Sequence, residues 1–323
     1  MDYTQSFFSL LPVALNITAP IFILIILGAV LFHIKFINQE FIRISSKFIF
    51  NIGLPVMLFT STASHDFNHL INISHLSLML ITTLTVFIIS GLTAYKFIDE
   101  NRDKGVFVQG AFRGNLIIIG LALCASAYPE KGLAIATLPT AVTIIIYNLL
   151  SIFTLNNSLN QQRFSLKKNM LDIIKNPLII GIFSGLLFNV LGFSIPTLVL
   201  QSNEYIAKMT LPLALIAVGG TLNFKQVKQN IKPALVSSLW KVILSPTILV
   251  MLLFIIPVDP TAAGVLFLLT ASPTATASLI MVEAMKGNSD LAAKIIILTT
   301  LFSLFTMTLG FIILVSANII SIN

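Results

Sequence analysis

Charge is what this chain has least of. Only 10% of its 323 residues are Asp, Glu, Lys or Arg, and 56% are hydrophobic. An ordinary soluble domain carries roughly 25% charged residues. So few ionic groups cannot cover a surface that faces water, which excludes a soluble globular protein and makes lipid the main solvent. There is one cysteine, Cys124, so an internal disulfide is excluded and the thiol reads as small core filler. No Lys or Arg precedes the first apolar run in MDYTQSFFSLLPV. A cleaved signal peptide needs a basic start, so that run is expected to be retained as a span. The four histidines, His33, His65, His69 and His75, fall near the expected interfaces and lack metal-ligand spacing such as H-E-x-x-H. No metal site and no cofactor are expected. No acidic residue falls deep in an apolar run, which argues against a carboxylate proton relay. The lack of paired deep aspartates and of a Ser/His pair argues against an intramembrane enzyme. No loop is long enough for the soluble output domain of a receptor.

What the chain does have is apolar runs. A spanning helix needs about 20 mostly apolar residues. Ten such runs lie near 11–34, 38–62, 72–98, 105–127, 132–155, 177–194, 197–223, 231–256, 260–285 and 289–319. The net charge of +7 sits between them rather than in a nucleic-acid patch. Lys35 and Arg43 follow the first run, and Lys96, Arg102 and Lys104 the third. Arg163, Lys167, Lys168 and Lys175 follow the fifth, Lys225, Lys228 and Lys232 the seventh, and Lys286 the ninth. The alternate loops hold only Lys131. Positive charge marks the cytoplasmic side. The pattern therefore expects a multi-pass protein of the cell (inner) membrane with both termini outside the cytoplasm. The longest cytoplasmic connection, 156–176, reads either as a basic amphipathic helix on the membrane or as a solvated linker.

A shift of 157 residues brings the two halves into register. Pro20 meets Pro177, Gly28 meets Gly185, Leu54-Pro55 meets Leu211-Pro212, and Asn115 meets Ser272 beside Pro273. Each half, 11–155 and 177–319, holds five runs, so the second enters the membrane from the opposite side. The expected fold class is an all-α integral membrane protein of ten transmembrane helices in two inverted five-helix repeats. Such repeats are common in secondary transporters, whose substrate sits where matching helices of the two halves are broken. The fourth run carries Arg113, Gly114, Asn115 and Gly120; the ninth carries TASPTATASLIM around Pro273. At about 1.5 Å per residue Asn115 lies roughly 15 Å deep, near the midplane of a core about 30 Å thick. Proline removes a donor and glycine eases unwinding. The two breaks are expected to cross, leaving peptide groups free and half-helix N-termini aimed at an anion. Asn115, Ser272, Thr274 and Thr276 would add neutral hydrogen bonds. Pro55 and Pro212 are expected to kink their helices.

The strings GNLIIIGLAL, FNIGLPVMLF, NPLIIGIFSGLL, LPLALIAVGG and ASPTATASLIMVEAM, followed by DLAAKIIILTTLFSL, together resemble the auxin efflux carrier family. That family comprises plant carriers and bacterial permeases for malonate, malate and related acids. The resemblance covers nearly the whole chain. It implies that broken helices four and nine cross at the substrate, with Asn115 in the family's asparagine position. It implies a scaffold of helices one, two, six and seven, a transport domain of helices three to five and eight to ten, and a homodimer formed through the scaffold. Relatives commonly place Pro two residues after Gly120, where this chain has Ala122, so a gentler break is expected.

The remaining charges divide between structure and function. Arg113 is expected to snorkel toward the cytoplasmic interface, while still attracting anions. Lys241 reads as a substrate-site residue or as a partner of helix-end carbonyls. Glu204 and Lys208 have the spacing of a helical ion pair. Asn51 meets Lys208 under the shift, so these positions would line a shared cavity. Glu283 reads as a solvated helix-end carboxylate. The expected function is a secondary transporter for small organic anions, coupled to H+ or Na+ or uncoupled. The alternative is a sodium symporter of the bile-acid type, with the ion held by carbonyls at the breaks.

Overall fold

The computed structural model describes residues 7–64, 72–159, 175–193, 195–222 and 231–322. The described residues are helical, with no β-strand among them. In chain order they form α1 (Phe7–His33), α2 (Gln39–Ser64), α3 (Ile73–Phe97), α4 (Asn101–Phe112), α5 (Leu116–Ala127), α6 (Gly132–Ser158), α7 (Pro177–Val190), α8 (Thr197–Thr221), α9 (Lys232–Leu253), α10 (Pro260–Ala271), α11 (Ala277–Ala284) and α12 (Ser289–Ser316). Helices α1, α2, α3, α6, α9 and α12 are long and apolar enough to cross a membrane. Helices α5, α7 and α10 are apolar but shorter. The fourth and ninth runs of the sequence are each split in two. Most of the basic linker, His65, His69, Lys225 and Lys228 lie outside the described residues.

Short polar side chains set several of the starts. Asn38 Oδ1 accepts the Phe41 N–H at 2.8 Å and opens α2. Asn72 does the same for α3 with Ser74 at 2.9 Å. Asn176 and Pro177 open α7, and Asp259 and Pro260 open α10. Each cap satisfies an amide that has no partner inside its helix, and proline at the first helical position loses nothing. Pro55 follows a wider turn, Ile49–Gly53, where α2 adopts π geometry. Pro212 lies inside α8, which continues unbroken from Thr197 to Thr221.

Two tight pairs form one side of the molecule. In the first, α1 lies on α8, where Gly28 touches the Ile216 carbonyl and Gly219 the Ile25 carbonyl. In the second, α7 lies on α2: a Cβ on Gly181 would sit 2.7 Å from Pro55 O, and one on Gly185 2.7 Å from Phe59 O. Without a hydrophobic driving force between helices in lipid, small residues that allow close approach dominate such contacts. Their outer faces, with Ile23 and Ile26 on α1 and Phe183 and Leu187 on α7, stay exposed and suit lipid. The other helices gather around α4, α5, α10 and α11. Helices α4 and α10 are buried nearly all round, Phe107, Phe112, Val265 and Leu266 being at most 1% exposed.

Candidate functional site

Helix α4 stops at Phe112, and Arg113, Gly114 and Asn115 leave helical geometry before α5 begins. Helix α10 stops at Ala271, and α11 begins only at Ala277. The two interruptions lie against each other in antiparallel fashion, Gly114 opposite Thr274. The Asn115 N–H donates to the Pro273 carbonyl at 2.7 Å, and the Ala275 N–H donates to the Arg113 carbonyl at 3.0 Å. Each break thus satisfies peptide groups of the other. The sequence expectation that these groups stay free for a guest is corrected. Buried peptide groups without partners cost too much in a dry interior, and here the nearest partner is the other break.

A cavity of ≈ 60 Å³ opens beside this crossing. One wall is Arg113, Gly114, Asn115 and the first turn of α5; another is Thr276 and Ala277 at the start of α11. Phe50 of α2 and Ile144 and Tyr147 of α6 complete it. The starts of both helices, the positive ends of their dipoles, lie at this space. Asn115 is 5% exposed. Its Oδ1 accepts from the Ile118 N–H at 3.4 Å, while its Nδ2 has no hydrogen-bond partner. Leaving a buried donor unpaired costs about 1–3 kcal/mol, which an acceptor on a guest recovers.

The Arg113 side chain is held by three neighbours. Its Nη2 donates to Asn148 Oδ1 at 2.8 Å, and its Nη1 to Ser151 Oγ at 3.1 Å and Met281 Sδ at 3.2 Å. The helix ends one residue earlier, at Phe112, and the side chain reaches α6. Its partners are all neutral. Lys241 is fully buried on α9, where its Nζ donates to the Thr270 carbonyl at 2.9 Å. That is the helix-end partner foreseen as one of its two roles. The ammonium is also next to the crossing: a Cβ on Gly114 would sit 2.9 Å from Lys241 Nζ and 2.9 Å from Ser272 Oγ. A larger residue at 114 would have to displace these two side-chain ends. Among the described residues no carboxylate pairs with Arg113 or Lys241; the ion pairs are Arg43–Glu40, Lys208–Glu204 and Lys294–Asp290.

The other expected site residues lie off the cavity wall. Ser272 Oγ donates to its own helix end, the Leu269 carbonyl, at 2.7 Å. Thr274 Oγ1 donates to the Gly110 carbonyl at 2.7 Å, and Pro273 supplies the carbonyl that Asn115 uses. Gly120 is helical and packs on Leu269. Asn51 is exposed, its Nδ2 bound to the Lys47 carbonyl at 2.7 Å, and its neighbour Phe50 is the wall residue. Glu204 and Lys208 form an exposed pair at 3.7 Å. The sequence reading missed Phe50, Ile144 and Tyr147, which are apolar or aromatic residues among many. One local signal for Tyr147 exists only in space: its ring meets Phe112 edge-on at 5.6 Å, at the last residue before the break.

The family model described as "Membrane transport protein" matches residues 13–311. An uncharacterized transporter of Methanothermobacter thermautotrophicus is 22% identical over 300 residues, 91% of this chain and 96% of that protein. An uncharacterized transporter of Methanocaldococcus jannaschii is 24% identical over 305 residues, 92% of this chain and 97% of that one. The match spans the crossing and both tight helix pairs. The chain belongs to the membrane transport protein family, the auxin efflux carrier type that its sequence resembles, and is a membrane transporter and not an enzyme.

Proposed function

We propose that this transporter moves small organic anions, carboxylates above all, across the cell membrane by alternating access. One observation carries the reading: the cavity at the crossing holds a guanidinium with only neutral partners and a carboxamide with an idle N–H, beside a buried ammonium. An uncompensated positive site in low dielectric favours an anion over any neutral guest. A planar carboxylate fits the forked donors of Arg113.

The same reading treats α4 with α5, and α10 with α11, as single broken crossings, giving ten in two inverted repeats. The close glycines support it. Gly28 and Gly185 correspond under the 157-residue shift, and they make the same kind of contact in α1 on α8 and in α7 on α2. Under the shift α1 corresponds to α7 and α2 to α8, so the two tight pairs are exchanged. In this scheme α1, α2, α7 and α8 form the scaffold, and the remaining helices carry the site. Both termini lie outside the cytoplasm, and a homodimer forms through the scaffold. Sodium held by carbonyls at the breaks fits less well. The carbonyls of Arg113, Pro273 and Thr270 already accept Ala275 N–H, Asn115 N–H and Lys241 Nζ. Proton coupling or uniport is the simpler expectation. Uptake of labelled mono- and dicarboxylates into proteoliposomes, with and without pH and sodium gradients, tests the proposal. Saturable flux of at least one anion is expected, and no flux of any would sink it.

A further inference from the structure

Two donors at the end of α4 converge on one sulfur. Gln109 Nε2 donates to Met281 Sδ of α11 at 3.3 Å, and Arg113 Nη1 donates to the same atom at 3.2 Å. A thioether is a weak acceptor, and this one serves a carboxamide and a guanidinium together. The polar groups around it go unanswered. Gln109 is fully buried, and its Oε1 has no hydrogen-bond partner. Ser278, one turn before Met281 on α11, is 3% exposed, and its Oγ has none either. Buried polar groups in folded proteins are nearly always paired. Packing alone asks for apolar side chains here, as in the adjoining cluster of Val106, Leu155, Val282 and Leu291.

We infer that Met281 holds the place of an anion: Arg113, Gln109 and Ser278 form a second position for the carboxylate, closed in this conformation by the thioether. The inference rests on the organic-anion reading above and extends it. A carboxylate oxygen is a far better acceptor for a guanidinium than sulfur is, because the bond is charge-assisted at both ends. Methionine is unbranched and has three rotatable bonds, so its side chain swings clear without a shift of α11. Its departure leaves Arg113 Nη1, Gln109 Nε2 and the Ser278 hydroxyl to meet the incoming group. Arg113 belongs to both positions, since it also lines the cavity at the crossing. Gln109 comes four residues earlier, about 6 Å along the helix axis. The anion is thus passed on by a guanidinium that it never has to leave. The second position lies toward the start of α4, where Asn288 Nδ2 donates to Asp103 Oδ1 at 2.9 Å. On the topology proposed above, that end faces the cytoplasm.

The test is calorimetric titration of the purified full chain in detergent with sodium propionate and with sodium malonate at pH 7.5. Met281→Ala removes the sulfur and vacates its place. The tighter-binding of the two acids is expected to bind this variant at least about tenfold more tightly than wild type, because its carboxylate no longer competes with the thioether. A residue that only fills space would give unchanged or weaker binding, and either result overturns the second position. Gln109→Leu probes the same place without opening a cavity. It is expected to weaken binding of that acid at least about fivefold with the thermal midpoint held, and to cancel the gain when combined with Met281→Ala. Unchanged affinity, or a loss accompanied by a marked fall in midpoint, makes Gln109 structural and overturns the proposal. Absence of binding by wild type and variants alike overturns the organic-anion reading as well. Wild-type binding without the Met281→Ala gain overturns the second position alone.

Discussion

The two interruptions that meet at the crossing are built from different chemistry, although they hold each other symmetrically through Asn115 N–H to Pro273 O and Ala275 N–H to Arg113 O. At 113–115 the side chains turn outward, toward the cavity and α6. At 272–276 the hydroxyls of Ser272 and Thr274 fold back onto backbone carbonyls, those of Leu269 and Gly110. Proline removes a donor and breaks its helix unaided, so the second break can use its side chains to tie down loose carbonyls. Arg-Gly-Asn has no such breaker and is held open from outside, by the other break. On the proposed reading the first break recognises the anion, while Ser272 and Thr274 make the second chiefly a clasp. Substitutions at matched positions should therefore separate transport from stability.

The largest effect is expected at Asn115. Asn115→Leu removes the idle donor and fills the cavity with apolar volume. Initial uptake should fall by at least about a hundredfold, the equivalent of roughly 3 kcal/mol, while the variant inserts and elutes as a single species in detergent. Normal flux in that variant would remove the recognition role of this break. Next comes Arg113→Gln, which keeps hydrogen bonding to α6 and deletes the charge. A hydrogen bond to a charged group is worth about 1.5–3 kcal/mol, so the KM for the anion should rise at least about tenfold, with the larger change in KM and the smaller in maximal rate. An unchanged KM would place the anion elsewhere.

Lys241→Met sharpens the comparison from behind the crossing. The ammonium lies in no cavity wall, so its contribution to the anion is through the field alone and a KM increase of severalfold is expected, smaller than for Arg113→Gln. A buried ammonium with one carbonyl partner carries a desolvation cost. The thermal midpoint of Lys241→Met should therefore hold or rise even as the KM worsens. A marked drop in thermal midpoint with unaltered KM would make Lys241 a purely structural strut.

The places of the two interruptions are legible in the sequence, because Gly114 beside Asn115 and Pro273 after Ser272 are punctuation inside long apolar runs. The starts of α2, α3, α7, α10 and α12 are legible for the same kind of reason, each opened by an Asn or Asp cap. What the two breaks do with their polar atoms is not. Whether a serine hydroxyl faces a guest or its own Leu269 carbonyl depends on a rotamer and a neighbour, and one chain pattern serves both. Depth along the fourth run does not name the partners of Arg113, because the helix ends at Phe112 and the side chain reaches Asn148 and Ser151 of α6. Phe50, Ile144 and Tyr147 reach the cavity from other helices, and an apolar residue in a run of apolar residues carries no mark of which face it presents.

The smallest effects should come from the clasp, and they should be of a different kind. Thr274→Val keeps the shape of the side chain and leaves the Gly110 carbonyl without its 2.7 Å partner in a buried position. An acceptor left unpaired there costs about 1–3 kcal/mol of stability. Ser272→Ala removes a bond to the Leu269 carbonyl, which also accepts the Ser272 N–H at 3.2 Å and so keeps a partner. The expected cost is correspondingly less, about 0.5–1.5 kcal/mol. Both variants should lower the thermal midpoint, Thr274→Val more than Ser272→Ala, and both should retain the wild-type KM within about twofold. Asn115 and Ser272 occupy matched positions in the two halves, so the pair gives the sharpest contrast. If Ser272→Ala raised the KM as Arg113→Gln is expected to, its hydroxyl would have to leave Leu269 and face the guest during transport. The two breaks would then exchange roles between the inward-open and outward-open states, and the asymmetry drawn here would belong to one state alone.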